Sequence, residues 1–363
     1  MRLSLYIGRR FLAMLALVLV LFFAVLFFID LIEEVRRVST GGFGAAARLA
    51  LLNTPGTLYG ILPLIFVLAA IALFLRLART SELVAIRAAG RSALRTLVAP
   101  MVAAFLFGIM AVALLNPIAA ATNKRYDQLA ARADQGAGAT EASFGGDGIW
   151  LRQGDGSGQW MIHADRASVD GSALYNVTFL AFGPTGGPRL RIEAQQADAN
   201  GGRWIAKNAK EWHFDEANPE EGATLAAELP LTADLTAAQI RDSSGAPQNV
   251  SIWDLPAYIA DLERAGLSAR AHSVWLQMEL ALPLLLPAMV LIGAGFTMRH
   301  ARFGNSGILV LAALVSGIAV FFVRNFAQVL GENGQIPVLL AAWSPPIAAL
   351  LLSVSLLLHL EDG

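Results

Sequence analysis

Few side chains in this sequence have the types and spacing that catalysis requires. Two of the five histidines, His163 and His213, fall in one polar region and could meet as metal ligands, although isolated histidines more often form ordinary hydrogen bonds. No cysteine is present, which excludes disulfides, thiol catalysis and Cys-ligated metals. The sequence contains neither Gly-x-x-x-x-Gly-Lys-Ser/Thr nor His-Glu-x-x-His. We therefore expect no catalytic residue, no metal and no cofactor.

The segment Arg79–Arg91, RTSELVAIRAAGR, lies in a short loop between two apolar runs and has a helical pattern. Thr80 or Ser81 can cap the helix, Glu82 is favourable in its first turn, and Gly90 suits its carboxyl end. By itself the pattern favours an interfacial helix with basic flanks, and a helix that docks into a groove of a partner would use the same features. Its apolar edge consists of Leu83, Ile86 and Ala89.

The composition is that of an integral membrane protein. The 363 residues are 56% hydrophobic and 15% charged, with a mean hydropathy of +0.55, whereas soluble domains are about 25% charged. The net charge of −1 provides no basic surface for nucleic acid.

A spanning helix needs about 20 apolar residues, and six runs have that length. The first leads into Ile29-Asp30-Leu31 rather than a cleavage site, so we expect a retained anchor. Ionisable groups lie only at the ends of the six runs, so no buried polar pair is expected, which disfavours proton transport and intramembrane catalysis. The runs are Phe11–Ile29, Pro55–Leu75, Thr96–Asn123, Leu280–Met298, Phe303–Val323 and Ile336–Leu358.

Arginines in alternate short loops indicate the orientation. Arginine-rich loops stay in the cytoplasm, so both termini are predicted to be cytoplasmic and the insert between the third and fourth runs periplasmic. These residues are Arg2, Arg9, Arg10, Arg76, Arg79, Arg87, Arg91, Arg95, Arg299 and Arg302.

The insert has the pattern of an all-β domain. The turn-rich QGDGSG separates two short apolar segments, and period-two alternation follows in Leu190–Ala194 and near Trp204. Ser251 and Asp254 precede a helical pattern that leads back to the membrane. We predict an α-helical polytopic membrane protein with six transmembrane helices (3+3) and an inserted all-β periplasmic jelly-roll-like domain. The predicted parts are 1–123 with a cytoplasmic helix at 80–90, 124–270 with the return helix, and 271–363.

Several of these motifs resemble the LptF/LptG family of lipopolysaccharide export permeases. The family pattern Ser-Glu-Leu-x-x-x-x-Ala-x-Gly after the second span is similar to Ser81–Gly90. Tyr6-Ile7-x-Arg9 at the start and Asn116-Pro117 near the end of the third span are also similar. The stretch Gly331…Ile336-Pro337 is more similar to the LptG branch, and the resemblance covers nearly the whole chain.

The resemblance implies a permease subunit of an ABC transporter in the inner membrane of Gram-negative bacteria. Its partners would be an LptF-like permease, a cytosolic LptB-like ATPase dimer, LptC-like and LptA-like bridge proteins, and lipopolysaccharide, with no nucleic acid. ATP hydrolysis would take place in the separate ATPase. The implied ATPase-coupling residues are Ser81, Glu82, Leu83, Ile86, Arg87, Ala88 and Gly90.

The resemblance also implies a large anionic glycolipid as ligand, whose phosphates would meet basic residues at the ends of the apolar runs. Arginine suits phosphate because its planar guanidinium donates to two oxygens at once. Arg324 is the strongest candidate because it directly ends an apolar run, whereas Glu33 and Glu34 could pair with the arginines that follow them in a solvated cluster. The implied head-group residues are Arg36, Arg37, Lys124, Arg125 and Arg324.

One position departs from the family pattern, because Phe27 stands where better-known members have a lysine, three residues before Asp30. Three alternatives stay open. The chain could be the LptF-type partner, a permease for another envelope lipid, or a non-transporting scaffold that displays a periplasmic β domain.

Overall fold

The computed structural model describes residues 2–37, 42–88, 92–135, 149–155, 158–167, 173–183, 187–200, 203–215, 218–231, 246–264, 268–298 and 306–361. The chain forms two compact units. The first comprises Met1–Arg125, Pro247–Pro256 and Arg270–Gly363, and the second comprises Tyr126–Ala246 and Ala257–Ala269.

Helices make up both ends of the chain. The amino-terminal part contains α1 (Arg2–Arg37), α2 (Gly42–Gly60), α3 (Leu62–Arg79), α4 (Glu82–Ala88), α5 (Ala93–Met110), a π-helical turn (Ala111–Leu115) and α6 (Asn116–Gln135). The carboxy-terminal part contains α7 (Leu255–Arg264), α8 (Arg270–Thr297), α9 (Ser306–Glu332) and α10 (Val338–Glu361).

Six helical stretches of the described chain are long and apolar enough to cross a membrane, which confirms the predicted number of spans. The predicted run Pro55–Leu75 is divided at Ile61 between α2 and α3. Pro63 falls in the first turn of α3, where its missing N–H group breaks no hydrogen bond. The six stretches are Leu3–Arg37, Leu62–Arg79, Arg95–Ala130, Arg270–Thr297, Gly307–Glu332 and Val338–His359.

Helix α8 lies at the centre of the helical packing. In its most apolar window 78% of the residues are buried. At Gly293, an added Cβ would lie 2.8 Å from the Cβ of Ala70 and 2.9 Å from the carbonyl oxygen of Val67. Only glycine therefore permits this approach of α3 and α8, as small residues do at helix interfaces in membranes. Buried side chains of α1, α3, α4, α5, α8, α9 and α10 share one apolar core.

The insert folds into an antiparallel six-stranded sheet with the order β1-β2-β3-β4-β5-β6. This confirms the predicted inserted all-β region. Each described strand pairs with its neighbours in sequence, and the jelly-roll arrangement stays a prediction. The strands are β1 (Ile149–Asp155), β2 (Gly158–Ala167), β3 (Ala173–Phe182), β4 (Pro188–Asn200), β5 (Arg203–His213) and β6 (Thr224–Leu231).

The predicted hairpin joins β1 and β2, where Gln153 pairs with Trp160. In β5 the buried side chains change from even-numbered to odd-numbered positions. Trp204 and Ala206 are buried, and the next buried residue is Ala209. Asn208 stands between them with a φ of 51°. Asparagine tolerates this left-handed conformation better than most residues do. The irregular backbone at Asn208 interrupts the strand's alternation, so the side chains after it face the core at shifted positions.

Candidate functional site

Helix α4 connects the two spans formed by α3 and α5, and its first residue is Glu82. The chain enters it through Ser81, whose φ of 57° is unusual for a residue other than glycine. The Ala85 N–H group donates to the Ser81 carbonyl oxygen at 3.2 Å, which starts the helix. The predicted short helix is therefore present, although Ala89 and Gly90 lie outside the described residues.

The Glu82 carboxylate is bound by α1. Arg10 Nη1 donates to Oε1 at 2.8 Å, the Tyr6 hydroxyl donates to Oε2 at 3.1 Å, and Thr80 Oγ1 also donates to Oε1 at 3.1 Å. Desolvation alone would raise the pKa of Glu82, but the hydrogen bonds from Tyr6, Arg10 and Thr80 outweigh it and lower this pKa. The carboxylate is thus ionised at neutral pH, and the side chain keeps 29% of its surface exposed.

The other predicted coupling residues divide between the core and the surface. Leu83 and Ile86, two of the three residues of the predicted apolar edge, are buried in the apolar core of the helical unit, so they pack inside this chain. Val84, Ala85 and Ala88 form the outward face, and Ser81 is also exposed. Arg87 belongs to α4, but its side chain lies outside the described part.

Arg36 and Arg37 lie in the last turn of α1, and both are exposed. Together with Ile29, Ile32 and Glu33, which also belong to α1, they line an open surface cavity of about 580 Å³. Its wall combines apolar and charged side chains, which suits an amphiphilic ligand. Lys124 and Arg125 are also exposed but lie on α6, away from the lining of this cavity.

Arg324 of α9 lies in a buried polar cluster with three residues of other helices. These are Tyr59 of α2, Asn116 of α6 and Glu279 of α8. Only 9% of the Arg324 surface and 1% of the Glu279 surface are exposed. The Tyr59 hydroxyl donates to Oε2 of Glu279, and the Asn116 side chain lies beside both groups. The Arg324 charge acts on Glu279 and Tyr59. Arg324, the strongest sequence candidate for a head group, is thus buried within electrostatic range of an internal carboxylate.

The expectation that no polar pair is buried is wrong. Glu279 and Arg324 each stand one position outside a predicted apolar run, but the helices continue past those runs and carry both side chains into the packed interior. The available signal was an ionisable residue directly next to an apolar run in a continuing helix. Burial with oppositely charged or hydrogen-bonding partners makes such residues tolerable in a membrane.

Asn116 also binds the segment that precedes α7. Its Oδ1 accepts a hydrogen bond from the Ile252 N–H group at 2.9 Å. The Trp253 indole N–H donates to the Ala113 carbonyl oxygen at 3.1 Å. That carbonyl belongs to the π-helical turn, an irregularity that often marks functional positions.

Asp30 joins α1 to α2. Its two carboxylate oxygens accept hydrogen bonds from Asn53 Nδ2 at 3.2 Å and Thr54 Oγ1 at 3.0 Å. Phe27, which stands at the family lysine position, contacts the ring of Phe28 with 5.9 Å between centroids.

The two histidines of the insert lie apart. His163 is on β2 and His213 is on β5, with β3 and β4 between them. The Nε2 atom of His213 lies 3.3 Å from a carboxylate oxygen of Glu211. Among the residues described, no group of three or more His, Asp or Glu side chains is arranged to hold a metal.

Comparison with curated protein sequences gives no significant match. The family model described as "Lipopolysaccharide export system permease LptF/LptG" matches residues 5–359. That match includes nearly all of α1, the α4 segment, the whole insert and all but the last two residues of the three carboxy-terminal helices. The chain therefore belongs to the LptF/LptG family of lipopolysaccharide export permeases.

Proposed function

We propose that this chain is the LptG-type subunit of an ABC transporter that extracts lipopolysaccharide from the inner membrane and passes it to a periplasmic bridge. Family membership makes the chain a multi-pass inner-membrane permease of lipopolysaccharide export, a transporter component rather than an enzyme. It also implies a partner permease and an ATPase. The LptG assignment is supported by Gly331…Ile336-Pro337 before α10.

The single observation that carries the proposal is the position and surface of α4. The sequence lacks a phosphate-binding loop for ATP, so the energy must come from another subunit. A helix anchored in the core by Leu83 and Ile86 can transmit force, and it offers a small outward face of Val84, Ala85 and Ala88. Such a face suits a groove on a cytosolic LptB-like ATPase dimer, with Glu82 as the charged contact.

The lipid side of the proposal rests on the cavity at the end of α1. Lipopolysaccharide carries phosphates and acyl chains, and the cavity places Arg36 and Arg37 beside Ile29 and Ile32. Guanidinium groups bind phosphate oxygens in pairs, whereas isoleucine side chains favour hydrocarbon. The other head-group candidates are Lys124, Arg125 and Arg324.

The proposed orientation places both termini in the cytoplasm and the insert in the periplasm, as the arginine distribution predicts. The sheet would then be the part that meets LptC-like and LptA-like bridge proteins.

The first test is native mass spectrometry of the full chain purified in mild detergent from its own membrane. The proposal expects a second six-span permease, two copies of an ATPase and a bound glycolipid. Recovery of the chain alone or with periplasmic proteins only, while other ABC complexes survive the procedure, would instead favour the scaffold. A bound lipid other than lipopolysaccharide would reassign the substrate.

A matched pair of variants tests the coupling site. Glu82→Arg should abolish ATPase recovery and transport, because it replaces the charged contact of α4 with the opposite charge. Glu263→Arg makes the same change at an exposed site on α7 and should leave both intact. Normal recovery and transport in Glu82→Arg would refute the coupling role. Replacement of 79–91 by a neutral linker gives a second check, because a scaffold would tolerate it.

A further inference from the structure

The first turns of α1 hold the helix that faces the proposed ATPase. Arg10 and Tyr6 donate to different oxygens of Glu82, at 2.8 and 3.1 Å. The Arg10 guanidinium also lies over the Tyr6 ring, 4.6 Å from its centroid. These two residues are four positions apart and so occupy one side of the helix, where they act together on the same carboxylate.

Both helices also contribute side chains to the apolar core of the helical unit. Leu83 and Ile86 of α4 belong to the same buried cluster as Ile7 and Phe11 of α1. Ile7 is 1% exposed and Phe11 is not exposed at all. Glu82 is therefore the point at which side chains of α1 hold α4 directly, so a shift of α4 acts on the start of α1.

The middle of α1 is the part of the helix with the least internal packing. No residue between positions 16 and 29 is buried, and 11% of the most apolar window of α1 is buried. The contacts that bury α1 lie near its start, at Ile7, Phe11 and Leu15, and near its end, at Asp30 and Glu34. Along these central turns the contacts with the core come from partly buried side chains, among them Val18, Leu19 and Phe22, so they hold the helix less tightly than the buried residues at its two ends.

We propose that Tyr6 and Arg10 are positioning residues that transmit movement of α4 to α1, so that the ATPase moves the first membrane span through the Glu82 carboxylate. This inference rests on the proposed function, because it requires an ATPase at α4. It assigns a part in energy coupling to the first span. Its contact residue Arg10 is 72 positions from Glu82 in the sequence. The remaining exposed surface of Glu82 stays available to a cation of the ATPase.

The test compares Arg10→Met with Arg9→Met in the complete complex reconstituted in vesicles that contain lipopolysaccharide. Both variants remove one arginine, but Arg9 is exposed and Arg10 contacts Glu82. Arg10→Met should keep ATPase recovery within about twofold of the wild type and lower lipid released per ATP at least fivefold. Arg9→Met should change neither quantity. Arg10→Lys, which retains a cation, should recover at least half of the wild-type coupling.

Movement of α1 provides a readout that a purely structural role would not change. The chain has no cysteine, so spin labels can be placed at Leu17→Cys on α1 and Leu311→Cys on α9, two exposed positions. The distance between the labels should change on ATP binding in the wild type and in Arg9→Met. That change should be absent in Arg10→Met.

The outcomes separate the two proposals. Full transport and a normal distance change in Arg10→Met would overturn the transmission role. Loss of ATPase recovery in Arg10→Met would also overturn it, because Arg10 would then serve docking. Failure of the wild-type chain to recover an ATPase, or normal recovery with Glu82→Arg, would instead overturn the proposed function.

Discussion

The Tyr59 hydroxyl donates a hydrogen bond to Oε2 of Glu279 and so joins two helices whose contact residues are 220 positions apart in the chain. Glu279 is almost fully buried, and Arg324 of a third helix supplies the opposite charge. A carboxylate in this position stabilises the helical unit only while its partners remain, because an isolated buried charge loses its hydration without compensation.

Removal of Glu279 should therefore destabilise the protein strongly. Glu279→Ala leaves the Arg324 charge without its buried counter-charge and should cost about 3–5 kcal/mol. Tyr59→Phe removes one hydrogen bond and should cost about 1–3 kcal/mol. Thermal unfolding of the detergent-purified chain measures both effects, with the exposed Glu263→Ala as the control. Equal melting temperatures for Glu279→Ala and the control would contradict a stabilising cluster.

Arg36 and Arg324 should respond differently to charge reversal. Arg36→Glu should leave the melting temperature unchanged and reduce co-purified lipopolysaccharide about tenfold, the effect of losing a charged hydrogen bond of about 1.5 kcal/mol. Arg324→Glu should lower the melting temperature, because it places a second carboxylate beside Glu279. Arg264→Glu on α7 is the exposed control. Unaltered lipid recovery with Arg36→Glu would remove this residue from the head-group site.

The close approach of α3 and α8 should make Gly293 intolerant of any side chain. Gly293→Ala forces a Cβ to within 3 Å of Ala70 and Val67, which should cost about 1–3 kcal/mol through strain. Gly307→Ala lies in the first turn of α9, where an added Cβ meets nothing within 4 Å, and should be neutral or slightly stabilising. Comparison of the two melting temperatures isolates the packing effect, and a Gly293→Ala protein as stable as Gly307→Ala would disprove it.

The sheet should lose stability in acid through Asp198, whose Oδ2 lies 2.6 Å from Lys207 Nζ. Desolvation would raise the pKa of Asp198, but the hydrogen bonds from Lys207 and Gln196 outweigh it and lower this pKa. The unfolded chain thus binds this proton more readily than the folded chain does. The contribution of the Asp198 carboxylate to folding stability is therefore present above the ordinary pKa of 3.8, and it disappears as pH falls through the lower pKa of the folded state.

Hydrogen exchange of β4 and β5 in the full-length protein, corrected for intrinsic rates, measures this effect. Protection should fall as the medium becomes more acidic than pH 3.8, and Asp198→Asn should weaken that dependence. Asp215→Asn is the control, since Asp215 is an exposed carboxylate 3.6 Å from Arg189. If the two variants show the same acid profile, the Asp198–Lys207 pair does not stabilise the sheet.

The sequence by itself determined the six spans, the inserted β region and the short helix at Glu82. Each depends on local properties, namely the length of apolar runs, period-two alternation and helix capping, which can be recognised within a window of about 20 residues. The LptF/LptG resemblance could also be recognised from the sequence, because the pattern Ser81–Gly90 and the 3+3 arrangement are features of the linear chain.

Only the tertiary structure decided which residues meet. Glu82 is held by Arg10 and Tyr6 because the start of α1 lies beside it, and Leu83 packs inward because it joins the common apolar core. Arg324 is buried within electrostatic range of Glu279 because α8 and α9 extend past their apolar runs and pack together. Hydropathy records the affinity of a residue for lipid or water, whereas these pairings depend on how the helices rotate and approach each other.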